Sequence, residues 1–111
     1  MEKFRFLQWK VYKESKQLLS LVLKIVDKLP KQYRFELGSQ IIKSALSIIL
    51  NIAEGTDRGT DKDFAHFLNI ANTSLNEVVA CLDAALDNNY ITNKEHLYYL
   101  EKMALLSRQL T

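Results

Sequence analysis

Apolar residues recur along the first part of the chain at alternating spacings of four and three, which is the period of one helix face. The series is Val11, Ser15, Leu18, Val22, Ile25 and Leu29, with Ser15 as its one polar member. Pro30 follows, and the residue before a proline is disfavoured in the helical region. The first helix is therefore predicted over about residues 7–29.

A second helix is predicted over about residues 33–54, with Gly55 ending it in the left-handed conformation that glycine tolerates. On a helical wheel its apolar residues, among them Leu46 and Leu50, cover an arc of roughly 220°. A helix that faces a single core needs an apolar stripe of only about 100° or somewhat more. This excess of apolar surface predicts that the second helix is buried on two sides, by its own bundle and by another chain.

Two further helices are predicted over about residues 60–88 and 92–109, separated by a turn at Asn88–Asn89. Thr60 and Thr92 can cap them, with Asp63 and Glu95 at the capping-box position three residues later. The third helix keeps a heptad of apolar residues, which favours near-parallel packing against its neighbours. These residues are Phe64, Leu68, Ala71, Leu75, Val78, Leu82 and Ala85.

Four helices joined by short links, with no alternating stretch typical of strands, predict one all-α domain over residues 1–111. The favoured architecture is an antiparallel up-down-up-down four-helix bundle. An uncharged stripe on the third helix can hydrogen-bond across a helix contact or face solvent, and both interpretations stay open. The stripe consists of Asn69, Asn72, Thr73 and Asn76. With the wide apolar arc, it predicts a homo-oligomer.

Composition places the chain among globular proteins, since 48% of the 111 residues are hydrophobic and 25% are charged. No apolar stretch approaches the ~20 residues that cross a bilayer, and the N-terminus lacks a secretory pattern. A cytoplasmic protein without a membrane partner is expected.

Residues 1–43 hold ten Lys or Arg against four Asp or Glu, whereas residues 44–111 hold five against nine. This asymmetry fits a basic face for nucleic acid, or complementary surfaces that pair between subunits.

A basic stripe runs along the first helix, where Lys10, Lys13, Lys24 and Lys28 fall within roughly 60° of the wheel. The candidate nucleic-acid-binding residues are these four lysines with Lys31, Arg34 and Arg58 from the following loops. Such a stripe can follow a phosphate backbone, and the aromatic rings of Phe6, Trp9 and Tyr12 are near enough to stack on bases. The alternative is a solvated lysine face with the aromatic rings in the core.

Residues that would support catalysis or metal binding are sparse. His66 and His96 have no second ligand at metal-binding spacing, and Cys81 sits on an apolar helix pattern typical of a core thiol. The acidic residues around the second and third glycines depart from calcium-loop spacing, and acids are expected at a helix start. These are Glu54, Asp57, Asp61 and Asp63. No catalytic residue, metal, cofactor or small-molecule substrate is predicted, and we expect a protein that is not an enzyme.

Four stretches together resemble a known family: FLQWKVYKES, LPKQYRFELGSQIIKSALSIILNIAEGTDRG, FAHFLNIANTSLNEV and DNNYI. They are similar, over about residues 6–91, to the proteins encoded in intervening sequences of bacterial 23S ribosomal RNA genes. The most specific element is Ser47, Asn51, Glu54 and Gly55 followed by Arg58, called the fingerprint below. Where the family usually has Gly-Ser before the Glu of the third helix, this chain has Thr73-Ser74, which puts a close backbone approach there in question.

The resemblance implies a non-enzymatic, homo-oligomeric four-helix bundle, with a pentameric ring as the assembly. The family is also similar in fold to accessory proteins of diversity-generating retroelements, which bind nucleic acid and a reverse transcriptase. An association with the ribosome or its RNA follows only from the setting of the gene. The first hypothesis is binding of structured RNA through the lysines of the first helix. The alternative is a protein-interaction scaffold or accessory subunit with no direct nucleic-acid contact.

Overall fold

The computed structural model describes residues 3–111, which form four long helices and no strand. A 3-10 turn, Arg5–Gln8, precedes α1, Lys10–Lys28. The second helix, α2, opens as Lys31–Tyr33, passes through a π-helical turn, Arg34–Gly38, and continues as Ser39–Gly55. α3 is Asp61–Asp87 and α4 is Asn93–Leu110. The predicted all-helical bundle is confirmed, and it measures 45 × 24 × 23 Å.

The break between α1 and α2 lies at Leu29 and Pro30, where the backbone turns extended. The side chain of Arg34 reaches back over this break and donates hydrogen bonds to the carbonyl oxygens of Asp27 at 3.0 Å and Leu29 at 3.1 Å. The last carbonyls of a helix have no partner within the helix. Arg34, a candidate RNA contact, thus caps α1.

Gly55 ends α2 differently from the prediction. No glycine in the described residues has a positive φ, and Gly55 is still helical. Its missing side chain serves close packing instead, because a Cβ there would lie 3.0 Å from Cδ1 of Phe64 and 3.1 Å from Cβ of Phe67. The expectation of a left-handed helix end at Gly55 is therefore wrong, and the glycine is needed where α2 meets α3.

Both predicted helix starts are observed. The hydroxyl of Thr60 accepts a hydrogen bond from the backbone N–H of Asp63, and Thr92 with Glu95 forms a complete capping box. Between α3 and α4, Asn89 has a φ of 63° and makes the turn. Asparagine tolerates this left-handed conformation better than most residues.

The core contains the apolar faces predicted for α1 and α3. Val22, Ile25, Leu75 and Val78 are fully or almost fully buried, and the Ser15 hydroxyl donates to the carbonyl of Tyr12 at 2.7 Å. The most extensive helix contact joins α2 and α3, and α1 and α4 make the sparsest of the four contacts between neighbouring helices. α2 and α4 lie apart, each packed against α1 and α3.

Candidate interaction surfaces

The fingerprint residues Ser47 and Asn51 belong to a polar seam between α2 and α3. The hydroxyl of Ser74 donates to Oγ of Ser47 at 2.8 Å. The Asn51 amide donates to the carbonyl oxygen of Ser47 at 2.8 Å and to its Oγ at 3.1 Å. Small hydroxyl side chains let the two helices approach closely while the polar groups between them keep hydrogen-bond partners. The fingerprint therefore specifies a helix–helix contact.

One turn earlier on α2, Ser44 continues the seam. Its hydroxyl donates to the carboxylate of Glu77 on α3 at 2.8 Å and accepts from Gln40 at 3.4 Å. Thr73 stays outside the seam, because it is exposed and donates to the carbonyl of Asn69 on its own helix. The departure from Gly-Ser at Thr73-Ser74 thus leaves the contact intact, since Ser74 alone enters it.

At the end of the seam, the remaining fingerprint residues order the corner between α2 and α3. Arg58 forms an ion pair with Glu54, and its guanidinium lies 4.6 Å from the ring centroid of Phe67. A cation over an aromatic ring is stabilising. Arg58, a candidate RNA contact, is therefore already engaged by a carboxylate and a ring.

The four candidate lysines of α1 are all exposed, and the structure divides them into two groups. Lys10 lies 3.7 Å from the carboxylate of Glu14, and Lys28 forms an ion pair with Glu95 on α4. The hydrogen bond to Glu95 raises the pKa of Lys28, and the bonds from Lys28 and from the backbone of Thr92 lower the pKa of Glu95. These two lysines are partly neutralised within the chain.

Lys13 and Lys24 form the second group. Both are exposed, and neither makes an ion pair within residues 3–111. Lys31, beyond the end of α1, is likewise exposed and unpaired within that range. These three cations are available to a phosphate backbone. We call the surface formed by Lys10, Lys13, Lys24 and Lys28 the lysine face.

The aromatic rings near the start of α1 pack within the protein. Trp9 stacks on Phe64 of α3, with centroids 5.7 Å apart and planes inclined by 22°, and its extended backbone makes α1 begin at Lys10. Phe6 meets Tyr12 edge-to-face at 5.0 Å. The interpretation of these rings as packing residues fits the structure better than free stacking platforms for bases.

The outer side of α2 carries an apolar ridge, which we define as Phe35, Ile42, Leu46 and Leu50. Phe35 is 82% exposed, Leu50 61% and Leu46 39%, and Ile42 is half-buried. The wide apolar arc predicted Leu46 and Leu50. Phe35 lies within the predicted second helix but was not part of that arc, and the structure places it in the π-helical turn. The ridge is the surface that matches the predicted second burial of α2.

A groove of about 340 Å³ lies between α1 and α4, and the sequence did not predict it. Its floor holds the buried Leu18 and Leu106, and its walls include Leu21, Tyr98 and Leu105. Glu14 and Lys102 also line the groove, and Glu14 accepts a hydrogen bond from Gln109 of α4. No sequence signal marked this α1–α4 groove, because it depends on how far apart two amphipathic helices pack.

The uncharged stripe of α3 is divided in the structure. Asn72 faces α4 and accepts a hydrogen bond from Ser107 at 3.2 Å, whereas Asn69, Thr73 and Asn76 are exposed. Asn72 thus serves a helix contact within the bundle, and the other three residues of the stripe face outward.

Residues with metal-binding or nucleophilic chemistry are scattered. No group of three or more His, Cys, Asp or Glu able to hold a metal ion occurs within residues 3–111. His66 is exposed, and His96 lies 3.5 Å from the carboxylate of Asp83. Burial, followed by the charge of Glu77, raises the pKa of the Cys81 thiol. In the same range, no helix is long and apolar enough to span a membrane.

Comparison with known proteins identifies the fold and the family. A crystal structure of a protein of unknown function from the S23 ribosomal protein family of Bacteroides thetaiotaomicron superposes with a TM-score of 0.81 at 26% identity. The alignment covers 90% of this chain and 94% of that one. No curated protein sequence matches the chain. The model of the family described as 23S rRNA-intervening sequence protein matches residues 8–111. The chain therefore belongs to the family of 23S rRNA-intervening sequence proteins.

Proposed function

We propose that this protein is a non-enzymatic, cytoplasmic homo-oligomer that binds structured RNA through the lysine face of α1. The observation that carries the proposal is the exposed pair Lys13 and Lys24, which have no acidic partner within residues 3–111. Unpaired cations along one helix suit a phosphate backbone, because each contact releases counterions from the nucleic acid. The family's link to 23S ribosomal RNA genes makes ribosomal RNA the first ligand to test.

The proposed architecture is an antiparallel up-down-up-down bundle. Contacts in which the residue number rises along one helix and falls along its neighbour support it. The supporting pairs are Glu14–Gln109 and Lys28–Glu95 between α1 and α4, with Ser44–Glu77 and Ser47–Ser74 between α2 and α3. Short connections are also typical of this topology. In a pentameric ring, as the family resemblance implies, several lysine faces could engage one RNA and raise its apparent affinity.

A filter-binding titration against fragments of 23S ribosomal RNA, run at two salt concentrations, tests RNA binding. The test variant is Lys13→Ala with Lys24→Ala. The matched control is Lys62→Ala with Lys94→Ala, which removes two exposed lysines elsewhere. We expect the test variant to flatten the slope of log affinity against log salt by about two, since each lost phosphate contact changes it by about one. The control should match the parent.

Two results would contradict RNA binding through the lysine face. One is the absence of binding to the fragments at low salt. The other is a variant lacking all four lysines of the lysine face that keeps the parent's affinity and salt slope.

The second candidate function is a protein-interaction scaffold or accessory subunit with no nucleic-acid contact. The apolar ridge favours it, because contiguous exposed apolar surface marks sites of protein association. This function predicts that Lys13→Glu with Lys24→Glu changes the assembly measured by light scattering, while the parent protein binds no RNA at any salt concentration. RNA binding that those two substitutions abolish, with assembly unchanged, would exclude it.

A further inference from the structure

We propose that a recess at one end of the bundle binds one guanine nucleotide, which an unpaired position of RNA supplies. The recess lies where the 3-10 turn before α1 meets the corner between α2 and α3, and its volume is about 320 Å³. We call it the corner recess, and its lining includes Lys3, Arg5, Trp9, Asp57, Arg58 and Phe64. The source of the nucleotide in RNA rests on the proposed function, whereas the recognition of the nucleotide does not.

The corner between α2 and α3 supplies the recess with an unpaired carboxylate, that of Asp57. The backbone N–H of Asp57 donates to the carbonyl oxygen of Glu54 at 3.4 Å, so the corner continues the last turn of α2. The next residue, Arg58, is held by its ion pair with Glu54 and by its contact with the Phe67 ring. The Asp57 side chain therefore starts from a fixed backbone. It is exposed and makes no ion pair within residues 3–111.

An unpaired carboxylate selects guanine among the bases of RNA. An ionised carboxylate accepts hydrogen bonds and donates none. The Watson–Crick edge of guanine places two N–H donors side by side, on the ring nitrogen N1 and on the amino nitrogen N2, so one carboxylate can accept from both. On the same edge, adenine, cytosine and uracil each place an acceptor beside their N–H donor, and that acceptor repels a carboxylate.

Aromatic side chains form another wall of the corner recess. Trp9 and Phe64 line it, and their rings stack on each other with planes inclined by 22°. Because these rings are packed on each other, they offer a base a fixed apolar wall and no free platform for an extended strand. Phe6 lines the recess from the 3-10 turn. An unpaired base is recognised in this way, with its flat body against apolar rings and its Watson–Crick edge toward polar groups.

Two cations that were not among the sequence candidates complete the corner recess. Lys3 and Arg5 line it, both are exposed, and neither makes an ion pair within residues 3–111. Asp61 also lines the recess, but it is the first residue of α3, where the helix dipole favours an acid. Arg58 is paired with Glu54, which leaves Lys3 and Arg5 for a phosphate. Cations and a carboxylate in one recess match the two ends of a nucleotide.

Titration with free nucleotides tests recognition without RNA. Trp9 is the only tryptophan of the chain, so its fluorescence, corrected for absorption by the nucleotide, reports binding in the recess. We expect guanosine monophosphate to change it saturably. Inosine monophosphate, which lacks only the N2 amino group, should need about a tenfold higher concentration, because one hydrogen bond to a charged group is lost. No saturable change with guanosine monophosphate, or equal binding of the two nucleotides, overturns the inference.

Substitutions assign the two ends of the nucleotide. Asp57→Asn should remove the preference for the guanine over the inosine nucleotide, whereas the matched control Asp61→Asn should keep it. Lys3→Ala with Arg5→Ala should weaken binding of guanosine monophosphate about tenfold and leave guanosine, which has no phosphate, unchanged. All four positions are exposed, so the fold should tolerate these changes, which circular dichroism checks. A guanine preference that survives Asp57→Asn overturns the role of this carboxylate.

RNA hairpins test the source of the nucleotide. Filter binding compares a fully paired hairpin with the same hairpin carrying one bulged guanosine, or inosine at that position. We expect the bulged guanosine to bind about tenfold more tightly than the other two, and Asp57→Asn to remove this difference without changing binding of the paired hairpin. Equal affinity for all three hairpins overturns recognition within RNA, while binding through the lysine face stands. If no hairpin binds but guanosine monophosphate does, the proposed RNA binding fails and recognition of the nucleotide stands.

Discussion

Replacement of Gly55 by alanine measures how closely α2 and α3 approach at the fingerprint. In an unobstructed helix, alanine is favoured over glycine by about 1 kcal/mol. Here the added Cβ would lie 3.0 Å from Cδ1 of Phe64 and 3.1 Å from Cβ of Phe67. The Phe64 ring is held by stacking on Trp9, and Cβ of Phe67 moves only with its backbone. Overpacking of this kind costs about 1–3 kcal/mol.

The expected net effect of Gly55→Ala is therefore a loss of roughly 0–2 kcal/mol of unfolding free energy. Gly59→Ala is a matched control, because a Cβ added at Gly59 would have no atom within 4 Å and the φ of this glycine is not positive. That substitution should stabilise by about 0.4–1 kcal/mol. Urea unfolding followed by far-ultraviolet circular dichroism, at one fixed protein concentration, should separate the two variants by roughly 0.4–3 kcal/mol. A Gly55→Ala protein as stable as Gly59→Ala would refute the close approach.

Three further outcomes follow from contacts in the bundle. The pKa of Glu95 in the folded protein lies below its ordinary value of 4.5. The ionised Glu95 side chain should therefore stabilise the fold above pH 4.5, and this stabilisation should fade as the pH falls through the pKa of the folded protein. Glu95→Gln should reduce this acid-side loss in thermal melts recorded between about pH 5 and 3. Ser47→Ala should cost about 1–3 kcal/mol by leaving the Ser74 hydroxyl without its acceptor, and Ser47→Ala with Ser74→Ala should cost less than the sum. The Cys81 thiol should react with iodoacetamide at about pH 8 more slowly than free cysteine, and equal rates would contradict its burial.

The fold was predictable because its signals are local and agree with one another. The four-three spacing of α1 and the heptad of α3 mark buried faces, and the threonines at the helix starts place the caps. What sequence could not supply was the reason for Gly55. A glycine at a helix end usually signals a left-handed residue, but here it permits contact with the side chains of Phe64 and Phe67 on the next helix. Such a contact depends on tertiary packing and leaves no local pattern.

The sequence predicted which residues form the candidate surfaces better than it predicted which of their charges are already paired. The lysine face follows from helical geometry, and all four of its residues are exposed as expected. Lys28 is paired with Glu95 on the other side of the bundle, whereas Lys24 has no such partner within residues 3–111. This difference depends on tertiary structure and could not be predicted from the sequence. Arg34 and Arg58 appeared equivalent to the lysines as charges, yet one caps α1 and the other packs on Phe67. Charge counting cannot separate a structural cation from an available one.

The seam and the ridge together explain why α2 is the helix that presents a second apolar surface. Ser44 and Ser47 hold one side of α2 to α3 by hydrogen bonds, and Ile41 and Ile48 bury another side in the core. Directional hydrogen bonds fix the rotation of the helix about its axis, which apolar packing alone specifies less strictly. A helix fixed in this way points Leu46 and Leu50 outward in one orientation. The fingerprint therefore contributes to the proposed assembly without touching the partner, by setting the direction in which the ridge faces.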